Sequence, residues 1–172
     1  MNVAANILIT GPPGIGKTTL IRNICSAYGD QRIAGFYTEE IRDAGKRQGF
    51  ALVGLNGERA LLSHIDIRSP FRVGKYGVDI DVLDRFLPKL NWLKPSTNLI
   101  VIDEIGKMEC FSAAFRHVVQ KALASETPVI ATVAQRGGGF IAEVKERWDV
   151  TLLQMEWENR ERLLTQVLGQ LP

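Results

Sequence analysis

Residues 11–18 read GPPGIGKT, and this stretch decides the fold because it joins a predicted strand to a predicted helix. Val3–Thr10 is a short apolar run that indicates a buried strand, and Lys17–Tyr28 carries apolar residues at helical spacing before Gly29. The spacing Gly-x-x-x-x-Gly-Lys-Thr in that context is typical of a phosphate-binding loop. The alternative is a glycine-rich turn that only links the strand to the helix.

The residue types of this loop suit phosphate binding. Glycines let the backbone curl so that several N–H groups point at one anion, and the helix that follows adds its positive N-terminal end. Lys17 can reach the β- and γ-phosphates, and the Thr18 hydroxyl is placed to ligate Mg²⁺. Two prolines stiffen the loop. The predicted nucleotide-binding residues are therefore Gly11, Pro12, Pro13, Gly14, Ile15, Gly16, Lys17, Thr18 and Thr19.

An acidic pair at the end of a second buried strand completes the predicted site. Residues 99–104 read LIVIDE, four apolar residues followed by two acids, and open α/β sheets present their ligands at the carboxyl ends of such strands. We expect Asp103 to hold Mg²⁺ together with Thr18, through water. Glu104 can orient or deprotonate an attacking water, which favours hydrolysis. The alternatives are a solvated acid at 103 and a capping or surface acid at 104.

The remaining elements predict an α/β fold. Strands at 32–40, 98–103, 129–133 and 150–155 alternate with helices at 79–90, 111–125, 140–148 and 158–168, which indicates a mostly parallel sheet covered on both faces. Between them, a turn at 43–46, a strand at 49–55, the turn NG at 56–57 and a return strand at 58–65 predict an inserted antiparallel hairpin section. The 172 residues suit a single domain, 1–172.

Composition excludes several classes of protein. The net charge of +2, with scattered Lys and Arg, gives no electrostatic case for nucleic acid or an anionic membrane. The first ten residues lack the basic segment of a signal peptide, and no apolar run is long enough to span a bilayer. Cys25 and Cys110 have no metal-ligand spacing, which favours reduced thiols. These features favour a cytoplasmic protein, and we expect it to be a monomer, although the sequence carries no signal of oligomeric state.

Four stretches in this order carry a narrower resemblance: GPPGIGKTTL, GFYTEEIR followed by GKRQGF, VGKYGVD at 73–79, and LIVIDEIGKMECFS at 99–112. Over Val3 to about Leu168 the chain resembles the cancer-related nucleoside triphosphatases, also called THEP-type nucleoside triphosphatases. The first motif is shared with many nucleotide enzymes, but the combination is far more specific.

The resemblance implies a three-layer P-loop fold of the RecA-like type, with an extra strand between the loop strand and the acidic strand. It implies Mg²⁺-dependent hydrolysis of ATP, GTP and other nucleoside triphosphates, including CTP and UTP, to the diphosphate and phosphate. It also implies that the second motif lines the nucleotide site, namely Leu99, Ile100, Val101, Ile102, Asp103, Glu104, Ile105 and Gly106. Asn159 and Arg160 resemble a family pair near the base, although Asn159 could equally be an ordinary helix cap.

Several residues keep two interpretations. Arg136, in the loop AQRGGG after a strand, could stabilise charge on the γ-phosphate as a catalytic cation or be a surface arginine. Glu39 and Glu40 could position water or metal, or pair with Arg42. Lys75 and Tyr76 could approach the nucleotide or form a turn, and Lys107 could simply face solvent.

Two other functions remain open at this point. A small nucleoside or nucleotide kinase would use the same loop, but it needs an acceptor pocket and an arginine-rich lid. The only comparable basic stretch, RDAGKR at 42–47, is more typical of a hairpin turn. A slow nucleotide-dependent switch is the third possibility.

Overall fold

Strands and helices alternate as the sequence predicts. The computed structural model describes residues 5–29 and 32–172, so the predicted strand start at Val3 lies outside the described residues. The strands of this part of the chain are β1 (Asn6–Thr10), β2 (Ile33–Asp43), β3 (Lys46–Gly54), β4 (Arg59–His64), β5 (Arg72–Val73), β6 (Tyr76–Val78), β7 (Leu99–Ile105), β8 (Val129–Val133) and β9 (Val150–Gln154). The helices are α1 (Lys17–Tyr28), α2 (Ile80–Phe86), α3 (Ala113–Leu123), α4 (Phe140–Lys145) and α5 (Arg160–Leu168), with 3₁₀ turns at Leu87–Leu90 and Glu109–Phe111.

The described strands join in one sheet, in the order β5-β6-β4-β3-β2-β7-β8-β1-β9. Neighbours from β2 to β9 in this order are parallel, whereas β3, β4, β6 and β5 pair antiparallel on one side. Strand β8 lies between the loop strand β1 and the acidic strand β7. The RecA-like order and the inserted antiparallel section are both confirmed.

Helices cover both faces of the sheet because its central strands are apolar on both sides. In β1, Ile7 and Ile9 pack with Ile21 of α1 and Leu163 of α5, whereas Leu8 between them packs into the opposite cluster. The opposite cluster is centred on the fully buried ring of Phe36, which meets the rings of Phe86, Trp92 and Phe115 at 6.0, 5.8 and 6.3 Å. Successive residues of one strand thus enter two cores, which makes a three-layer sandwich.

The inserted section is larger than the sequence predicts. Its first hairpin turns at Ala44 and Gly45, both with positive φ (45° and 75°), as a two-residue hairpin loop requires. The additional strands β5 and β6 were not predicted, because two or three residues carry no periodic signal. They place Lys75 at the exposed turn between them, and Tyr76 in the buried strand β6.

Helix starts and ends also differ from prediction by a few residues. The helix predicted from Phe111 begins at Ala113, because the buried Ser112 hydroxyl accepts the N–H of Phe115 at 2.9 Å and caps it. The helix predicted over 140–148 ends at Lys145.

Burial raises the pKa of Cys25 to about 11 and that of Cys110 to about 12, so both thiols keep their protons. Among the described residues, the helices are all too short or too polar to cross a bilayer.

Candidate functional site

The loop between β1 and α1 has the backbone geometry that an anion site needs. Gly16 has a φ of 109°, a conformation that side chains rarely adopt, and its carbonyl accepts the N–H of Leu20 at 2.9 Å to start α1. A Cβ at Gly11 would lie 2.6 Å from the carbonyl oxygen of Met155, so the loop passes very close to the end of β9. The first turn of α1 contains no acidic residue. Its N–H groups are therefore available to a phosphate.

Lys17 closes over this loop. Its Nζ donates to the carbonyl oxygens of Gly11 at 2.9 Å and Pro12 at 3.2 Å. Such carbonyl contacts keep the ammonium group at the mouth of the loop without an acidic partner. The cation is thus positioned to exchange these carbonyls for phosphate oxygens.

Asp103 is buried at the carboxyl end of β7, with 2% of its surface exposed. Its Oδ2 accepts the Thr18 hydroxyl at 2.7 Å, and its Oδ1 accepts the Thr132 hydroxyl at 2.5 Å. Burial raises the pKa of Asp103 above its usual range, and the hydrogen bonds from Thr132 and Thr18 oppose that shift only in part. Thr18 and Asp103, 85 positions apart in the chain, thus meet as the sequence predicts.

Glu104 faces the same cleft as Asp103 because β7 is irregular there. In a regular strand, neighbouring residues point to opposite faces, but the pairing of β7 with β8 shifts register between Ile102 and Ile105. Burial, and then the charge of Asp103, raise the pKa of Glu104. A carboxylate with a raised pKa is the kind of group that can accept a proton near neutral pH.

A third acid, Glu109, lies beside Glu104 and was missed in the sequence. A Cβ placed on Gly106 would lie 2.7 Å from Oε1 of Glu104 and 3.0 Å from Oε2 of Glu109, so both carboxyls face the same point. Burial, and then the charge of Glu104, raise the pKa of Glu109 to about 8. Glu109 therefore holds a proton at neutral pH.

The donor set fits Mg²⁺. A hydroxyl and a carboxylate in contact are hard oxygen ligands, and Mg²⁺ in nucleotide sites usually takes one or two such groups, with phosphate oxygens and water completing its shell. In the part of the chain that the structure describes, no group of three His, Cys, Asp or Glu side chains could hold a metal by itself. The arrangement therefore suits an ion that arrives with a nucleotide.

These groups line one cleft of about 630 Å³, a size typical of small-molecule sites. Its floor holds Pro13, Gly14, Gly16, Lys17, Thr18 and Thr19, with Asp103 and Glu104 opposite. Basic side chains surround it, namely Arg22, Arg47, Lys107 and Arg136. Among the described residues, Arg136 and Lys107 have neither an ion pair nor a side-chain hydrogen bond. Both thus reach the cleft with their charge available.

Some of the predicted residues lie behind the cleft. Leu99, Ile100, Val101, Ile102 and Ile105 are fully buried in the two cores, so they position the acidic pair and do not themselves line the cleft. Gly11, Pro12 and Ile15 belong to the loop but do not line the cleft. Gly106 lies beneath the carboxyls of Glu104 and Glu109.

Asn159 and Arg160 also lie outside the cleft lining. Asn159 accepts the N–H of Glu156 at 2.9 Å and donates to the carbonyl of Gln154 at 2.8 Å, which fixes the turn after β9. The Arg160 guanidinium lies over the exposed Trp157 ring, 4.8 Å from its centre. Asn159 occupies the N-cap position of α5, but its side chain makes no capping hydrogen bond to that helix, so its contacts stabilise the turn before the helix and not the helix start.

Glu39 and Glu40 lie within β2 and not at its end as the sequence predicts, because the hairpin pairing with β3 extends the strand to Asp43, and both acids form ion pairs. Glu39 pairs with Arg59 at 2.6 Å, and Glu40 pairs with Arg42 at 2.5 Å and with Arg47 at 2.9 Å. Partial burial raises the pKa of Glu40, but the hydrogen bonds from Arg47 and Arg42 outweigh this and lower it. Both acids line the cleft, yet their charges are already compensated.

Sequence reasoning missed Thr132, Glu109 and Arg22. Thr132 had a usable signal, since it is the one polar residue of the buried strand VIATV. Glu109 had none, because an acid between Met108 and Cys110 gives no sign that it is buried. Arg22, on α1, reaches the cleft and lies 5.3 Å from the centre of the Tyr37 ring.

Comparison with known proteins agrees with this geometry. Residues 6–168 match the family model described as NTPase. The nucleoside-triphosphatase THEP1 of Thermotoga sp. (strain RQ2) is 44% identical over 166 residues, which cover 96% of this chain and 94% of the relative.

The human cancer-related nucleoside-triphosphatase is 36% identical over an alignment of 182 positions, which covers 96% of each chain. The chain belongs to this nucleoside-triphosphatase family. The resemblance inferred from the four sequence stretches, and with it the predicted enzyme class, is confirmed.

Solved structures support the same assignment. The crystal structure of THEP1 from Aquifex aeolicus superposes with a TM-score of 0.86 at 32% identity, covering 96% of this chain and 98% of that one. The solution structure of the human cancer-related nucleoside triphosphatase superposes with a TM-score of 0.82 at 36% identity, covering 96% of each chain. The predicted fold class is thereby confirmed.

Proposed function

We propose that this protein hydrolyses nucleoside 5'-triphosphates, among them ATP, GTP, CTP and UTP, to the diphosphate and phosphate with Mg²⁺ as cofactor. The observation that carries the proposal is the 2.7 Å hydrogen bond between Thr18 of the loop and Asp103 of the acidic strand, in a cleft that also holds Lys17 and Glu104. The names of the relatives support triphosphate hydrolysis in general. The whole chain acts as one domain, because the cleft is lined by strands of one sheet and by the helices and loops that follow them.

Different residues of the chain bind the phosphates, hold the metal and position its ligand. The N–H groups of the loop and of the first turn of α1 bind the β- and γ-phosphates, and Lys17 gives up its two carbonyl contacts to neutralise them. Thr18 and Asp103 would hold Mg²⁺, which supplies charge neutralisation at the phosphate oxygens. Thr132 keeps Asp103 in position through its hydrogen bond.

Glu104 orients the attacking water and accepts its proton. The water oxygen forms a bond to the γ-phosphorus, and the bond from that phosphorus to the bridging oxygen breaks. The electron pair leaves with the diphosphate, where Lys17 and the loop N–H groups compensate the charge. Arg136, which reaches the same cleft, adds a cation at the γ-phosphate.

The test is phosphate release from each of the four nucleotides, with Mg²⁺ and then with EDTA, and without any added acceptor. Steady release that requires Mg²⁺ is expected from several of them. Binding without release would instead favour the kinase or the switch.

Glu104→Gln should retain nucleotide affinity and lose turnover by roughly 10²-fold or more. Glu161→Gln, at an exposed site on α5, is the matched control and should change neither quantity. If affinity and turnover fall together in Glu104→Gln, Glu104 is a structural residue or a metal ligand and the proposed role is wrong.

A further inference from the structure

A second cleft, of about 800 Å³, lies next to the nucleotide cleft. One wall is a single face of α3, formed by residues spaced three or four apart: Ala113, Arg116, His117 and Gln120. The opposite wall is the glycine-rich loop after β8 and the start of α4, and the turn between β5 and β6 closes one end. The proposed hydrolysis gives no role to this face of α3 or to the turn between β5 and β6.

The two clefts meet at the end that holds the acidic strand. Val73 and Lys107 line both of them, and Arg136 of the first is followed directly by Gly137 of the second. Lys107 lines the first cleft together with Asp103 and Glu104, so the shared edge lies on the side of the acidic pair. A molecule in the second cleft would therefore lie near the terminal phosphate of a bound nucleotide.

The charge of the second cleft is strongly positive. Arg72, Lys107 and Arg116 line it, together with His117, against the one acid Glu143. In residues 5–29 and 32–172, the three cations form no ion pair. Arg116 donates to the carbonyl of Cys110 at 2.5 Å, and Arg72 donates to the carbonyl of Lys75 at 2.8 Å. Both guanidinium groups are thus held in place with their charge uncompensated, which favours an anion.

The cleft also has an apolar part. The Phe111 ring is 37% exposed and packs against the Phe71 ring with 5.3 Å between centres, while Phe140 and Ile141 lie beneath the opposite wall. The cleft volume of about 800 Å³ is within the range of small-molecule sites, and the overall charge of only +2 argues against a surface for a long polyanion. A small ligand with both an anionic group and a ring matches these walls.

We propose that the second cleft binds a small organic anion, with a phosphate or carboxylate group on Arg116 and Lys107 and a ring against Phe111. This goes beyond the proposed function, since hydrolysis needs only the first cleft. Lys107 serves both clefts, and two anions that share one lysine oppose each other. Occupancy of the second cleft therefore lowers the affinity for nucleotide a few-fold. Bound nucleotide lowers the affinity for the second ligand by the same factor.

The probe is phenyl phosphate, which carries one ring and one dianionic group, and the readout is its titration followed by the backbone amide signals of the full chain in NMR spectra. We expect saturable shifts at Gly74, Gly137 and Gly138, and no such shifts with phenol, which lacks the anion. Absence of saturable shifts at these glycines, or shifts confined to Gly14 and Gly16, would overturn the proposal.

Two neighbouring alanines provide a matched pair of variants. Ala113 and Ala114 are both exposed in the first turn of α3, but only Ala113 lines the cleft. Ala113→Phe should lower the affinity for phenyl phosphate at least tenfold, whereas Ala114→Phe should leave that affinity within twofold of the wild type. Equal effects of the two variants would contradict the assignment. Phosphate release from ATP is measured on the same samples, so failure of hydrolysis counts against the proposed function and not against the second site.

Discussion

Replacement of Glu109 by Gln should change how the stability of the protein depends on pH. The Glu109 carboxyl is buried beside Glu104, and this environment raises its pKa from 4.5 to about 8. An acid whose pKa is higher in the folded state binds its proton more tightly there. The contribution of Glu109 to stability is therefore fully present below pH 4.5, is lost as the pH rises through the window from 4.5 to 8, and stays absent above it.

The size of the effect follows from the two pKa values. A difference of one pKa unit corresponds to about 1.4 kcal/mol, so a rise from 4.5 to about 8 corresponds to a loss of about 5 kcal/mol across the window. Total stabilities of domains are typically about 5–15 kcal/mol, so this is a large fraction. Glutamine has no titrating proton, and Glu109→Gln should remove this part of the pH dependence.

The assay is urea denaturation of the wild type and the variant at half-unit steps from pH 5 to pH 9, without nucleotide or Mg²⁺ because both would add charge beside the carboxyls. The free energy of unfolding of the variant, relative to the wild type, should rise with pH by several kcal/mol. Glu146→Gln, at an exposed position of the chain, is the matched control and should follow the wild type. Parallel curves for wild type and Glu109→Gln would refute a buried, protonated Glu109.

Three further substitutions test individual contacts. Lys17→Ala removes the cation of the loop and should abolish nucleotide binding, measured by calorimetry, or turnover, while Lys121→Ala on the surface of α3 should not. Thr132→Val removes a hydrogen bond to the buried Asp103 and should lower the free energy of unfolding, measured in urea, by about 1.5–3 kcal/mol. Thr151→Val, at an exposed position, should change this free energy very little. Arg136→Ala should lower phosphate release by at least about tenfold at unchanged nucleotide affinity, and an unchanged rate would make it a surface arginine.

The phosphate loop and the acidic pair could be predicted because local sequence requires them. Gly16 must adopt a positive φ, Lys17 and Thr18 must follow it at the start of a helix, and Asp103 must end an apolar strand. The strands β5 and β6 could not be predicted, since they are two and three residues long and exist only through the pairing of β5 with β6 and of β6 with β4. Because these strands were missed, the turn that closes one end of the second cleft could not be predicted either.

By itself, then, the sequence determined the order of the longer elements, the loop and the two acids, because these depend on residue types and spacings over short stretches of the chain. Only the tertiary structure decided which side chains from distant parts of the chain contact one another in the cleft. Thr132 reaches Asp103 because β8 lies next to β7, and Glu109 becomes a protonated acid because folding buries it against Glu104. Burial and the order of strands in the sheet arise from contacts between distant residues, and no local pattern records them.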